Sequence, residues 1–166
     1  MISLKAPDLR VFDSNVRRDF TLFLAGSIEL GSAKKWQDEM TEALKDVKGY
    51  IFNPRRDDWD ASWEQTIENE QFKTQVKWEL DCLENAKYIF MHFEPETKSP
   101  ITLLELGLHA ANANDLGYRK LLVHCPKGFW RKGNVDVTCE RYNIDMVDSI
   151  EDAILYYGRL RAASNV

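Results

Sequence analysis

The sequence predicts a doubly wound α/β fold: a five-stranded parallel sheet of flavodoxin-like order 2-1-3-4-5 with helices on both faces. Three observations predict it. Short apolar runs of strand length alternate along the chain with stretches whose apolar residues recur at helical spacing. Glycine, proline or polar residues close most of the runs. Connections of helical length between successive strands make right-handed crossovers, which set the strands parallel and the helices on both faces.

Residues 1–18 read as a lead-in containing Pro7 and the pair Arg17-Arg18, with a short edge strand between Leu9 and Phe12. Strand one is the run Phe20-Thr21-Leu22-Phe23-Leu24-Ala25, which ends in Gly26-Ser27. A loop over 26–31 then opens helix one, whose apolar face is Ala33, Trp36, Met40, Leu44 and Val47 within about residues 32–47. Strand two, 49–53, stops at Pro54 and is followed by the charged, tryptophan-bearing loop 55–63. Helix two covers 68–85 with an expected buried stripe of Phe72, Val76, Leu80 and Leu83, and Glu79 lies inside that stripe. Strand three is 87–93. After it, Ser99 and Pro100 read as the N-cap and first residue of a helix reaching about residue 112, ended by Asn114, Asp115 and Gly117. Strand four is 120–125, closed by Pro126; a loop over 127–134 leads to a short helix near 135–142. A brief strand at 144–147 precedes a helix with Ile150, Ala153, Ile154, Tyr157 and Leu160 on one face.

At 166 residues, with 44% hydrophobic and 30% charged content, the chain reads as one domain spanning 1–166. A formal charge of -5 argues against binding a nucleic-acid polymer or an anionic membrane surface. The first residues lack the apolar core of a signal peptide and no run approaches a membrane span, so a soluble, cytoplasmic protein is expected. Cys82, Cys125 and Cys139 show no short pairing, and His92, His109 and His124 are scattered without ligand spacing. Neither a disulfide framework nor a metal site is indicated.

Glu105 is the odd residue of the chain. It falls in the second turn of an otherwise apolar helix, with Ile101, Leu104, Leu106 and Leu108 around it, where an ionised carboxylate is costly unless something pairs with it or uses it. A structural glutamate and a catalytic carboxylate both fit. Glu79, on the preceding helix, can point toward the same cleft, and two carboxyls in unlike environments can serve as ionised nucleophile and protonated acid. That is the logic of a retaining glycosidic transfer. The loops at the strand ends hold Trp59, Trp63, Phe129 and Trp130, which offer flat surfaces for a nucleobase or pack on the sheet edge. Loop 26–31 lacks the lysine of a Walker loop and the spacing of a dinucleotide fingerprint, leaving backbone N–H groups at a helix start. No serine sits in a nucleophile elbow.

Four motifs resemble the nucleoside 2-deoxyribosyltransferase superfamily, in particular its deoxyribosyltransferase-like branch. They are Phe23-Leu24-Ala25-Gly26-Ser27-Ile28-Glu29, Asn53-Pro54-Arg55-Arg56-Asp57-Asp58-Trp59-Asp60, Gln75-Val76-Lys77-Trp78-Glu79-Leu80 and Lys98-Ser99-Pro100-Ile101-Thr102-Leu103-Leu104-Glu105-Leu106-Gly107. The resemblance implies that Glu105 attacks C1′ of a deoxyribose, that Glu79 lies at the base-binding end, and that Ser99 matches a serine six residues before the catalytic glutamate in the related deoxynucleoside 5′-monophosphate N-glycosidases. It further implies substrate contacts from Gly26, Ser27, Asn53, Arg55, Arg56, Asp58 and Trp59. Asn134 matches an asparagine that a neighbouring subunit contributes to the sugar's 5′-hydroxyl, which implies a homo-oligomer. Transferases of the family carry aspartate where Ser99 stands, and the monophosphate hydrolases carry arginine where Glu29 stands; Arg55, Arg56, Arg131 or Lys132 can replace the latter.

The expectation is a cofactor-free, retaining N-glycosyl enzyme acting on a small nucleoside or nucleotide, with nucleoside 2-deoxyribosyltransferase as the leading reading. An N-glycosidase that hydrolyses the same bond, and a non-catalytic nucleotide-binding or sensing module, are the alternatives.

Overall fold

The computed structural model describes residues 1–28, 34–60, 62–113 and 119–163. The predicted positions Glu29, Gly31 and Ala33 of the first loop and helix, and Asn114, Asp115 and Gly117 beyond the Glu105 helix, lie outside the described residues.

The apolar runs become strands because their alternate side chains are buried on opposite faces. In chain order the described elements are β1 (Ile2–Lys5), a 3-10 turn (Leu9–Phe12), α1 (Ser14–Arg18), β2 (Thr21–Gly26), α2 (Trp36–Ala43), β3 (Tyr50–Asn53), α3 (Glu70–Asn85), β4 (Tyr88–His92), α4 (Pro100–Ala110), β5 (Leu121–His124), α5 (Lys132–Arg141), β6 (Asp145–Met146) and α6 (Ile150–Ala163). The six strands pair in parallel in the order β1-β3-β2-β4-β5-β6. The five expected strands keep their 2-1-3-4-5 order as β3-β2-β4-β5-β6, and β1 adds a sixth beside β3.

Two cores flank this sheet. Phe23, Ala25, Phe52, Ile89, Met91, Leu121 and Val123 face α3, α4 and α5, meeting Trp78, Leu83, Leu106 and Val135. The alternate residues Leu22, Leu24, Ile51, Phe90 and Leu122 face α2 and α6, meeting Trp36, Met40 and Tyr157. Burying a large apolar side chain contributes about 1.5–3 kcal/mol, so these paired layers hold the strand ends rigidly enough to position a site.

Five expectations are corrected. The N-terminal stretch is no lead-in: its strand is Ile2–Lys5, in register with Tyr50–Asn53, while Leu9–Phe12 is a 3-10 turn capped by the Asp8 side chain, which accepts from the Arg10 N–H at 2.9 Å. Leu4 and Ala6 enter the core, whereas Leu9 is exposed, so the strand pattern starts earlier than expected. The buried face of α3 is turned from the predicted stripe: Gln75, Trp78, Cys82 and Leu83 are buried, Phe72 and Val76 are partly so, and Leu80 faces solvent. Trp78 sets this rotation, because its indole N–H reaches the Asp8 carbonyl at 3.0 Å while its rings fill the core. Ser99 holds the N-cap position of α4, but in a left-handed conformation (φ 44°) and with no capping hydrogen bond from its side chain. Helix one is also shorter than expected, at Trp36–Ala43, and α5 starts three residues earlier, at Lys132.

Gly26, where β2 ends, has φ +152°, and a Cβ there would lie 2.4 Å from the His92 carbonyl oxygen and 2.7 Å from the Trp36 ring. Gly26→Ala is therefore expected to destabilise the fold by roughly 2–4 kcal/mol. Urea unfolding checks this; a loss below a quarter of that range would show that β2 and β4 can part without cost.

Candidate active site

Glu105 occupies the inward face of α4 with Thr102, Leu106 and Ala110, at 8% exposure. Its other apolar neighbours, Ile101, Leu104 and Leu108, point outward instead. Proline at the first helical position and the apolar inner residues fix this rotation, and no positively charged partner of Glu105 emerges among the described residues. Burial pushes the Glu105 carboxyl up to about 8, and the charge of Glu79 adds to the rise. Glu79 itself is pushed up to about 7 by burial, opposed by a hydrogen bond from Gln75. The residue as a whole is partly exposed; its carboxyl is the enclosed part. The charge of Glu79 is felt at Glu105, so ionisation of the first disfavours ionisation of the second.

Gln75 connects Glu79 to the chain after β3. Its amide nitrogen donates to Glu79 Oε1 at 2.7 Å and to the Pro54 carbonyl at 3.0 Å. The four-residue spacing on α3 brings the two side chains together. Sequence reading missed Gln75 as a site residue although that spacing was visible.

The start of α4 is tied to the end of β2 by hydroxyls. Ser27 Oγ lies 2.9 Å from Thr97 Oγ1, Thr97 Oγ1 lies 2.7 Å from Ser99 Oγ, and Ser27 Oγ and Ser99 Oγ are in direct hydrogen-bond contact. The Glu94 N–H donates to Ser27 Oγ at 2.9 Å. Ser27 and Ser99 are buried, so this cluster fixes loop 94–99 relative to β2.

The remaining expected residues divide. Asn53 is buried, its Oδ1 accepting from the Arg55 N–H at 2.9 Å. The Arg55 guanidinium is directed to the approach of α2, donating to the Lys34 carbonyl at 2.8 Å and to Gln37 Oε1 at 3.3 Å. Arg56 makes a two-pronged pair with Asp58, at 2.8 and 2.7 Å, and lies over the Trp63 ring. Trp59 meets Trp63 edge to face with centroids 5.1 Å apart, and its buried indole N–H has no hydrogen-bond partner among the described residues. These residues make the wall of loop 55–63; none has a recorded contact with Glu105. Asn134 stands exposed in the first turn of α5, its side chain making no hydrogen bond to a described residue. Among the described residues no group of three or more His, Cys, Asp or Glu has metal-binding geometry, and Cys82, Cys125 and Cys139 are buried free thiols.

The doubly wound sheet thus carries two carboxyls of raised proton affinity on the helices that flank β4. The family model described as nucleoside 2-deoxyribosyltransferase like matches residues 19–129, about two thirds of the chain, and the chain belongs to that family. The match contains Gly26, Ser27, Glu79, Ser99 and Glu105 and stops before Asn134. No curated protein matches the sequence.

Because the folded carboxyls hold protons more tightly than an unfolded chain does, their stability contribution is complete below the ordinary value of 4.5 and is lost as pH rises through about 7 and 8. Glu105→Gln is therefore expected to stabilise the protein above neutrality, on the order of 3 kcal/mol by pH 9 and little at pH 5. Thermal melts across that range check it; a benefit independent of pH would contradict the buried-acid assignment.

Proposed function

We propose that the chain is a retaining N-glycosyl enzyme that breaks the N-glycosidic bond of a deoxynucleoside, with nucleoside 2-deoxyribosyltransferase as its leading activity. The observation that carries this reading is that Glu105 and Glu79 are both acids of raised proton affinity and that the charge of Glu79 is felt at Glu105. Glu105 attacks C1′ and forms the ester bond, the C1′–N bond breaks with its electron pair going to the base, and the proton from Glu79 neutralises the leaving nitrogen. A second base then attacks C1′ from the opposite side, returns its ring proton to Glu79 and releases the Glu105 carboxylate, so two inversions give retention. No cofactor enters this sequence.

Gly26 and Ser27 border the sugar in this reading, and Asn53, Arg55, Arg56, Asp58 and Trp59 form the wall toward the base. A specific observation favours a second reading, hydrolysis of a nucleoside or its 5′-monophosphate. The Ser27–Thr97–Ser99 cluster replaces an aspartate-bearing turn with hydroxyls suited to a 5′-hydroxyl or phosphate oxygen. Incubation with deoxynucleosides, ribonucleosides and their monophosphates, with and without a free second base, separates the cases. Base exchange marks the transferase, free base plus sugar the hydrolase, and saturable binding with no turnover a sensing module.

Glu105→Ala is expected to reduce turnover by about a thousandfold or more while the fold persists, because the covalent step is lost. Activity should follow a bell with limbs near 7 and 8, rising as the first carboxyl ionises and falling as the last proton leaves the pair. A rate flat from pH 6 to 9 would rule out the shared-proton scheme.

The same reading includes a homo-oligomer. Ile101, Leu104 and Leu108 are each more than half exposed along one side of α4, an apolar stripe for which a second copy is the simplest cover. A contact there brings a neighbouring chain to the helix that carries Glu105, and a partner's copy of Asn134 would act across it. Light scattering of Leu104→Lys should report a monomer where the native chain reports a dimer or higher; an unchanged mass would remove α4 from the interface. No helix among the described residues is long and apolar enough to cross a membrane, and the free thiols fit a reducing, cytoplasmic compartment.

A further inference from the structure

His92 and His124 are adjacent partners in the β4–β5 register, at the carboxyl ends of both strands and on the α2/α6 face of the sheet. The rings stack with centroids 4.8 Å apart and Nδ1 of one lies 2.9 Å from Nδ1 of the other. The far nitrogen of His92, Nε2, lies 3.1 Å from Glu94 Oε1. Both residues are buried, and desolvation pulls His92 down to about 4 and His124 below its ordinary value, so the two rings are neutral at pH 7 and hold one ring proton each.

Two contacts share those two protons: Glu94 with His92, and His92 with His124. The Glu94 carboxylate can only accept, whereas either ring can donate to the other, so Glu94 takes precedence. The proton on His92 then sits on Nε2 and is donated to Glu94, which leaves Nδ1 bare. His124 must carry its proton on Nδ1 and donate to that bare nitrogen. Glu94 thus sets the tautomer of His92, His92 sets that of His124, and the His124 donor in turn holds the His92 ring against Glu94.

Glu94 leads directly to the candidate site on the other face. Its N–H donates to Ser27 Oγ, its carbonyl accepts from Thr97 Oγ1 at 2.9 Å, and those hydroxyls hold Ser99 at the start of α4. We propose that His92, oriented by His124, is a positioning residue that acts through Glu94 on the Ser27–Thr97–Ser99 cluster, setting the start of α4 and with it the Glu105 carboxyl. The proposal rests on Glu105 being the nucleophile for its kinetic consequence, and on the contacts alone for its structural one. A cavity of ≈ 530 Å³ opens onto the pair from the α2/α6 side, with Lys34, Lys35 and Glu39 on one rim and Asp148 and Glu151 on the other. The rings are therefore lodged between charged groups of both signs rather than sealed in the apolar core.

The test uses the full chain and two near-identical variants. His92→Gln keeps an N–H where Nε2 stood and so keeps the bond to Glu94; His92→Asn is too short to reach it. Both lose the stacked ring, so a merely structural role affects them alike. His92→Gln should retain kcat within about threefold, while His92→Asn loses about tenfold or more with KM little changed, as expected for a displaced nucleophile. Equal kcat losses in the two overturn the proposal. Long-range proton–nitrogen correlation spectra of the native chain supply a readout that needs neither activity nor a folded variant. His92 should be protonated on Nε2 and bare on Nδ1 at pH 7, and the reverse tautomer overturns the proposal. If no glycosyl transfer or hydrolysis is found with any nucleoside, the catalytic reading fails by itself. The amide signals of Ser27 and Glu94 then decide the positioning claim: unmoved in His92→Gln and shifted in His92→Asn supports it, and equal shifts reject it.

Discussion

The candidate site depends on one constraint: burial favours the protonated form of two carboxyls, Glu105 and Glu79. Glu105 is held inward by the rotation of α4, and Glu79 is held by Gln75 to the backbone after β3. Desolvation is the first cause of the rise in both, and Glu79's charge is the second cause for Glu105. With no lysine or arginine at hand among the described residues, burial leaves a proton as the cheapest counter-charge for each group. The apolar layers on both sheet faces offset the cost of burying these acids and prevent the cleft from relaxing open to water.

Period-two alternation in the strands turns that local constraint into an arrangement with two sides. β2 sends Phe23, Ala25 and then Ser27 toward α3 and α4, while Leu22, Leu24 and Gly26 face α2. β4 sends Met91 and Phe93 to the first side and Phe90 and His92 to the second. The residues just past these strand ends therefore form a short path between the faces, and Glu94 occupies it with a side chain on His92 and a backbone N–H on Ser27. Gly26 is required at the same crossing because the chain passes too near the His92 carbonyl for a side chain.

Much of this was legible in the sequence because it is written in local periodicity. Strand runs such as Leu22–Ala25 and Ile89–Met91 are nearly all apolar, as parallel strands covered on both faces must be, and the order of five strands follows from the crossover rule. Glu105 was legible as an acid out of place, and Glu79 as one inside a helical stripe. The stripe itself was turned, since counting apolar positions undervalues Trp78 and Gln75, which are buried through a polar handle on a large or long side chain. β1 was missed because four residues give too few alternations to outweigh the Pro7 and charge that follow. The histidine pair was invisible, for a different reason: neighbouring positions in β4 and β5 are 32 residues apart in sequence, and register is a property of the pairing rather than of either strand.

The raised proton affinities carry the chemical argument further. Burial favours the protonated form of both acids, whereas the proposed reaction needs Glu105 ionised to attack. Under that proposal the reacting sugar supplies the means. As the glycosidic bond lengthens, positive charge develops at C1′ beside Glu105 and stabilises its carboxylate, while the departing base gains basicity beside the other acid. Both changes draw the proton from Glu105 toward Glu79 and the leaving nitrogen. In the proposed reaction, a resting site with Glu105 protonated is inert toward weaker electrophiles. The same dryness that raises the proton affinity makes the carboxylate, once released, poorly solvated and correspondingly reactive.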